Sequence, residues 1–339
     1  MVSIKHIAAK CGVSIATVSK ALNNHNDVSE ETRRLVFETA REMGYLPNSQ
    51  ARALKTNRTY NIGVIYSEKA GTGISHNFFS LILDSFKIQA AEAGYDMTFI
   101  CNNIGDKTTG YFEHCKYRNV DGVLIACADF YDKDIVRLIN SDIPTVTVDF
   151  TTDKKPSVSS DNVSGMKKLV KYIIKKGHRK IAYIYGDSSQ VTTIRLKTYL
   201  DTLKAFGIEP VSDYIKQAKY QDPISVQAFT NDMLKLYDPP TCIILPDDYS
   251  AIGAFAAIRE AGLSVPNDIS LAGYDGNLFS QLSSPRLTTV KQDTTLIGRT
   301  AAELLVRLIQ KENVNPVNSP VIPGILIEGA SVGDLKTLR

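Results

Sequence analysis

The chain has 339 residues, with 39 Lys and Arg against 36 Asp and Glu and a formal net charge of +3. This length predicts several folded units rather than one small domain. Five scattered cysteines exclude a disulfide scaffold. With no apolar run near 18 residues and no basic-then-apolar start, a membrane span and a secretory leader are also excluded, which predicts a cytoplasmic protein. The charge is unevenly placed: residues 1–58 hold nine Lys and Arg against five Asp and Glu, whereas the rest holds 30 against 31. A basic excess confined to one end points to a polyanionic partner for that end.

Residues 3–23 read as two short amphipathic helices joined by a tight turn at Cys11-Gly12-Val13. Ile4, Ile7 and Ala8 on the first face Val18, Ala21 and Leu22 on the second. Gly12 supplies a left-handed end to the first helix, and Ser14 caps the second. With that core side fixed, Ile15, Ala16, Thr17 and Lys20 face outward near the helix start, the part of a recognition helix that reaches base edges in the major groove. Only Lys20 among them has a side chain suited to hydrogen bonds with bases, so Thr17, Ser19 and Asn23 are expected to fix register on phosphates.

A third helix starts at the N-cap Ser29, with Thr32 in its first turn, and carries Leu35, Val36, Thr39, Ala40 and Met43 on one face. Gly44 ends it. Residues 1–46 thus form a three-helix helix-turn-helix domain. Residues 47–59 follow as a hinge and linker, in which Pro47 and Asn48 open a helix too short to persist alone. Arg52, Leu54 and Lys55 lie in this hinge. On DNA, Leu54 is expected to act as an apolar wedge between base steps in the minor groove.

From Asn61 onward, apolar runs such as NIGVIYS, DGVLIAC, RKIAYIYGD and ISLAGYDG alternate with helical patterns near residues 78–93, 131–140, 162–176, 193–206, 225–237 and 248–261. This is the pattern of buried parallel strands in a doubly wound α/β architecture. Ligands bind beyond the carboxyl ends of such strands. Those ends are polar or acidic here, with Asp129, Asp149, Asp247 and Asp275 among them. Asp275 is the strongest candidate, because a carboxylate at a strand end can accept two hydrogen bonds from vicinal hydroxyls. Phe78 and Phe79 open the first long helix, one suited to stack on a ligand and one to pack in the core; Tyr220 and Phe279 are further candidate cleft aromatics.

Enzymatic readings find little support. Gly71-Thr72-Gly73 lacks the third glycine of a dinucleotide fingerprint and the Lys-Ser/Thr of a phosphate loop, the five histidines show no metal-ligand spacing, and there is no nucleophile elbow. No cofactor and no metal are expected.

Taken together, the motifs Ile4-x2-Ile7-Ala8-x3-Gly12-Val13-Ser14-x2-Thr17-Val18-Ser19, Gly44-Tyr45-x-Pro47-Asn48, Ala51-x2-Leu54, Ser160-Asp161-Asn162, Gly177-His178-Arg179, Gly273-Tyr274-Asp275 and Leu287-Thr288-Thr289-Val290 resemble the lactose/galactose repressor (LacI/GalR) family of bacterial transcriptional regulators along the whole chain. The resemblance implies a two-lobed, periplasmic-binding-protein-like sensor at residues 60–339, with three chain crossings and an effector in the interlobe cleft. The expected lobes are 60–159 with 290–319, and 160–289 with 320–339. It also implies that Arg195 occupies the ligand-binding arginine position, and that Asp247 stands where the family often has Asn. The expected partners are double-stranded operator DNA, a second copy in a homodimer and a small effector. A sugar is favoured and a purine is the alternative; a cytoplasmic sugar-binding protein without DNA function is the alternative of another class.

Overall fold

The computed structural model describes residues 2–45, 58–67 and 73–336, and the chain separates into two units divided after Thr59. In the first unit, helices Ile4–Cys11, Ile15–Leu22 and Glu30–Glu42 enclose a core of Ile7, Ala8, Val18, Ala21, Val36 and Ala40. Gly12 ends the first helix at φ 67°, a left-handed conformation that costs glycine little. The Ser14 hydroxyl accepts the Thr17 amide at 3.0 Å and starts the second helix. Arg33 ties down the loop between the second and third helices by donating to the carbonyls of His25 and Val28. Leu35, expected on the inner face, is instead 45% exposed, while Val36, Thr39 and Ala40 are buried there as expected.

The second unit contains two six-stranded sheets. In the first, the spatial order is Val321–Ile322, Ser157–Ser160, Thr145–Val148, Gly122–Cys127, Asn61–Tyr66 and Asp96–Ile100, parallel throughout. The second runs Ile325–Ile327, Thr288–Lys291, Ser270–Asp275, Cys242–Ile244, Ile181–Tyr185 and Ile215–Gln217, parallel except for the antiparallel Ile325–Ile327. Both sheets are covered on two faces, which is why their strands are apolar runs rather than alternating ones. Ile62, Val64 and Leu124 pack against helices Asn77–Glu92 and Thr294–Ile309, while Ile65, Val123 and Ile125 face helices Tyr111–Arg118 and Lys133–Ile139. The second sheet is sandwiched likewise.

Helix Thr294–Ile309 returns to the first lobe and meets Asn77–Glu92 through Gly298. A Cβ there would stand 2.0 Å from Ser85 Oγ and 2.2 Å from the Ile82 carbonyl, so only glycine permits this approach.

The lobe boundaries differ from expectation by a few residues. Ser160 and Val321–Ile322 pair within the first sheet, and Val290–Lys291 pair with Tyr274–Asp275 in the second, so lobe one runs to about 161 and resumes near 293. Two-residue strands carry no periodicity, and their lobe is decided by the partner they pair with. Among the described residues, no helix is long and apolar enough to cross a membrane.

Candidate DNA-reading face and effector cleft

On the second helix of the first unit, Ile15 is 44% exposed, Ala16, Lys20 and Asn23 are exposed, and Thr17 and Ser19 are half-buried. Thr17 Oγ1 bonds Ser14 Oγ at 2.8 Å, and Asn23 donates its amide to the Ser19 carbonyl, closing the helix end. Ser29 accepts the Thr32 amide at 3.3 Å. Lys20 does not stand alone: its ammonium pairs with the Asp27 carboxylate and holds the Asp27 carboxyl below its ordinary range. Both partners are half-exposed, so exchanging this contact for a phosphate or base costs little. Arg52, Leu54 and Lys55 lie outside the described residues.

In the second unit, the carboxyl ends of both sheets open on one cavity between the lobes. Seven of the nine expected residues line it: Phe78, Phe79, Asp129, Asp149, Arg195, Tyr220 and Asp275. Phe78 and Phe79 both reach it, with Phe78 continuing into the core and Phe79 edge-on to Tyr66 at 5.8 Å. The Asp129 carboxylate accepts the Tyr131 amide.

Arg195 is 3% exposed and held from two sides. Its Nε donates to Asn162 Oδ1 at 2.7 Å, and its guanidinium lies 3.6 Å from the centre of the Tyr274 ring. This fixes the fork and leaves its terminal nitrogens for the cavity. Asp149 and Asp275 flank it on backbones with φ 54° and 108°, a conformation that costs a non-glycine residue roughly 1–3 kcal/mol and persists where surrounding structure imposes it.

Burial pushes both carboxyls above the ordinary carboxylate range. The Ser160 amide and the Arg195 charge oppose this at Asp149; at Asp275 Arg195 and Gln292 oppose it, while Asp247 and Asp248 add to it. The Tyr220 hydroxyl bonds Thr192 Oγ1 at 2.9 Å. Gly186 makes room for this ring, since a Cβ would come within 2.3 Å of it.

Two expectations are corrected. Asp247 is not a cavity residue: it is 1% exposed, and its carboxylate accepts the Gln221 amide, the Ser250 amide and the Ser250 hydroxyl, each at 2.8 Å. Those bonds consume its acceptors, so it anchors the turn that carries Tyr220. Phe279 turns toward Phe255, with ring centres 6.4 Å apart in the core of the second lobe.

Other cavity residues were not anticipated. Gln292, 4% exposed, donates to Asp275 Oδ1 at 2.7 Å, while its Oε1 is buried without a hydrogen-bond partner. Phe130 and Phe150 stack face to face at 4.1 Å, with Tyr131 edge-on to Phe150. His76 and Gln190 also line the cavity. The available signal for these residues was position alone, directly after a strand or at a helix start. Among the described residues, no group of three or more His, Cys, Asp or Glu side chains could hold a metal ion.

Comparison with known proteins decides the family. Residues 3–48 match the model of bacterial regulatory proteins of the lacI family, and residues 170–332 match the periplasmic binding protein-like domain. The chain is 30% identical over 331 residues to the HTH-type transcriptional repressor PurR of Glaesserella parasuis serovar 5, covering 96% of this chain and 95% of that one. It belongs to the lacI family of bacterial regulatory proteins. A second relative, PurR of Photobacterium profundum, is 31% identical over 92% of this chain and 93% of its own length.

Among solved structures, a lac repressor dimer bound to operator and the anti-inducer ONPF superposes with TM-score 0.85 at 28% identity, covering 98% of this chain and 99% of that one. A transcriptional regulator CelR–cellobiose complex gives 0.71 at 26%, covering 98% and 100%. This lacI-family chain is a DNA-binding transcriptional repressor and not an enzyme, and the match at residues 3–48 sets aside a sugar-binding protein without DNA function.

Proposed function

We propose that this repressor binds a two-fold operator as a homodimer in the cytoplasm, and that a neutral, hydroxyl-rich effector of the sugar class closes the cleft and alters operator binding. The observation that carries the effector class is an excess of acceptors. Asp149, Asp275 and Gln292 line the cavity beside the cation Arg195, and Gln292 Oε1 is buried without a hydrogen-bond partner. A sugar ring offers several hydroxyl donors and can still accept from the guanidinium, whereas an anion would meet two carboxylates. The aromatic rings supply the apolar surface for a ring face.

A purine is the second reading. It is supported by the names of the PurR relatives and by the flat Phe130–Phe150 stack. A thermal-shift screen of the full chain against sugars, nucleosides and bases separates the two, because a ligand at a hundredfold excess over its Kd stabilises by about 2.7 kcal/mol. A sugar hit supports the proposal; a purine hit with no sugar hit replaces it with the second reading.

Dimerisation is supported by the exposed apolar side chains Ile224, Ile252, Leu278 and Leu282 on neighbouring helices of the second lobe, where Gly253 packs against Pro223 and Phe255 against Phe279. A single helix-turn-helix grips one half-site, and a two-fold operator needs two. Arg52, Leu54 and Lys55 are proposed to complete the grip through minor-groove contacts.

A further inference from the structure

A side chain that lines the cavity bridges the two lobes. Gln190, the first residue of helix Gln190–Ala205 in the second lobe, reaches Thr151 in the first. Its side-chain carbonyl accepts the Thr151 amide at 2.8 Å, and its side-chain amide donates to the Thr151 carbonyl at 3.1 Å. Both polar groups of one planar amide are therefore spent on both backbone groups of a residue in the other lobe.

Each end of this bridge is firmly mounted. On the first lobe, the turn holding Thr151 is fixed by the Asp149 amide on the Val158 carbonyl at 3.0 Å and by the Thr147 hydroxyl on the Phe150 carbonyl at 2.6 Å. On the second, Ser189 caps the helix by accepting the Thr192 amide at 3.1 Å. The same helix carries Arg195, whose guanidinium is clamped between Asn162 and Tyr274. Any motion that draws this helix away from the first lobe must break the Gln190 bridge and separate Arg195 from Asp149 together.

We propose that Gln190 is a clasp that holds the lobes closed before any effector arrives, so that this chain's resting state is set by one side chain as well as by its ligand. The proposal rests on the reading that cleft closure is the regulated motion. A ligand shifts that equilibrium only through its differential affinity for the two states, and a built-in clasp raises the closed population from which it starts.

Because Thr151 contributes backbone groups only, the clasp makes an asymmetric prediction. In the effector-free full chain, followed by amide hydrogen exchange, Gln190→Ala accelerates exchange at Thr151 and in the cleft segments 127–131 and 187–191 by about five- to thirtyfold, the range expected for losing two exposed hydrogen bonds. Thr151→Ala leaves all three segments at the wild-type rate. Acceleration confined to residue 151 shows a bond that does not hold the lobes, and equal effects of the two substitutions show a packing role; either result overturns the clasp. Thermal shifts of wild type and Gln190→Ala with galactose, cellobiose and hypoxanthine test the effector reading separately. If none of these binds, that reading fails while the exchange result still decides the clasp.

Discussion

Asp275 does the most at the residue scale. It ends a buried strand, takes an unfavourable backbone conformation, and presents its carboxylate beside the clamped Arg195 with Gln292 bonded to one oxygen. Asp275→Asn should weaken effector binding by roughly ten- to hundredfold, the effect of losing a charged hydrogen bond worth about 1.5–3 kcal/mol. Effector-free operator binding should not change, and calorimetry beside a gel shift checks both.

Asp248 gives a pH-dependent prediction. Burial pushes its carboxyl up to about 7, against hydrogen bonds from Thr289 and the Asn277 amide that favour ionisation. A folded-state value above the unfolded one makes a stabilising contribution that is complete below about pH 4 and is lost as pH rises through about 7. Asp248→Asn should therefore gain thermal stability relative to wild type as pH is raised from 4 to 8, read as a widening gap in Tm. Asp129, Asp149 and Asp275 were legible in the cavity because strand ends announce themselves. Asp247 was misplaced because sequence does not show that three nearby donors consume its carboxylate. Gln292 and Gln190 were missed because an isolated glutamine has no pattern.

Among elements, the helix-turn-helix was the most legible, since its periodicity, its Gly12 end and its Ser14 cap all agree. The alternation of apolar runs and helical segments likewise placed the strands and their order along the chain. The returns between lobes were less legible: Val321–Ile322 and Ile325–Ile327 are separated by two residues yet belong to different sheets, a distinction made by pairing alone. Helix Thr294–Ile309 packs in the first lobe, and Gly298 explains how closely it approaches its neighbour. Gly298→Ala should cost about 1–3 kcal/mol by forcing two helices apart, which urea denaturation measures, whereas the exposed neighbour Arg299→Ala should cost far less.

At the scale of the whole molecule, the proposal is a pair of chains, because a two-fold operator needs two helix-turn-helix units. Leu278 and Leu282 project from one helix turn with 67% and 73% exposure, a large apolar outlay for a surface helix unless a second copy covers it. Leu278→Lys with Leu282→Lys should shift the protein toward monomer in analytical ultracentrifugation and weaken operator binding by more than tenfold while leaving effector binding intact. The proposed operator-binding face is sparse, with Lys20 the one long cationic side chain on its second helix and Asp27 already beside it. Affinity must then depend on having two such faces.

The most direct test of the account is fluorescence anisotropy of the full chain on a labelled two-fold operator, titrated with and without the compound that gives the largest thermal shift. The account predicts a change in operator affinity of tenfold or more, which Asp275→Asn abolishes. A compound that binds the cleft tightly yet leaves operator affinity unchanged would contradict it.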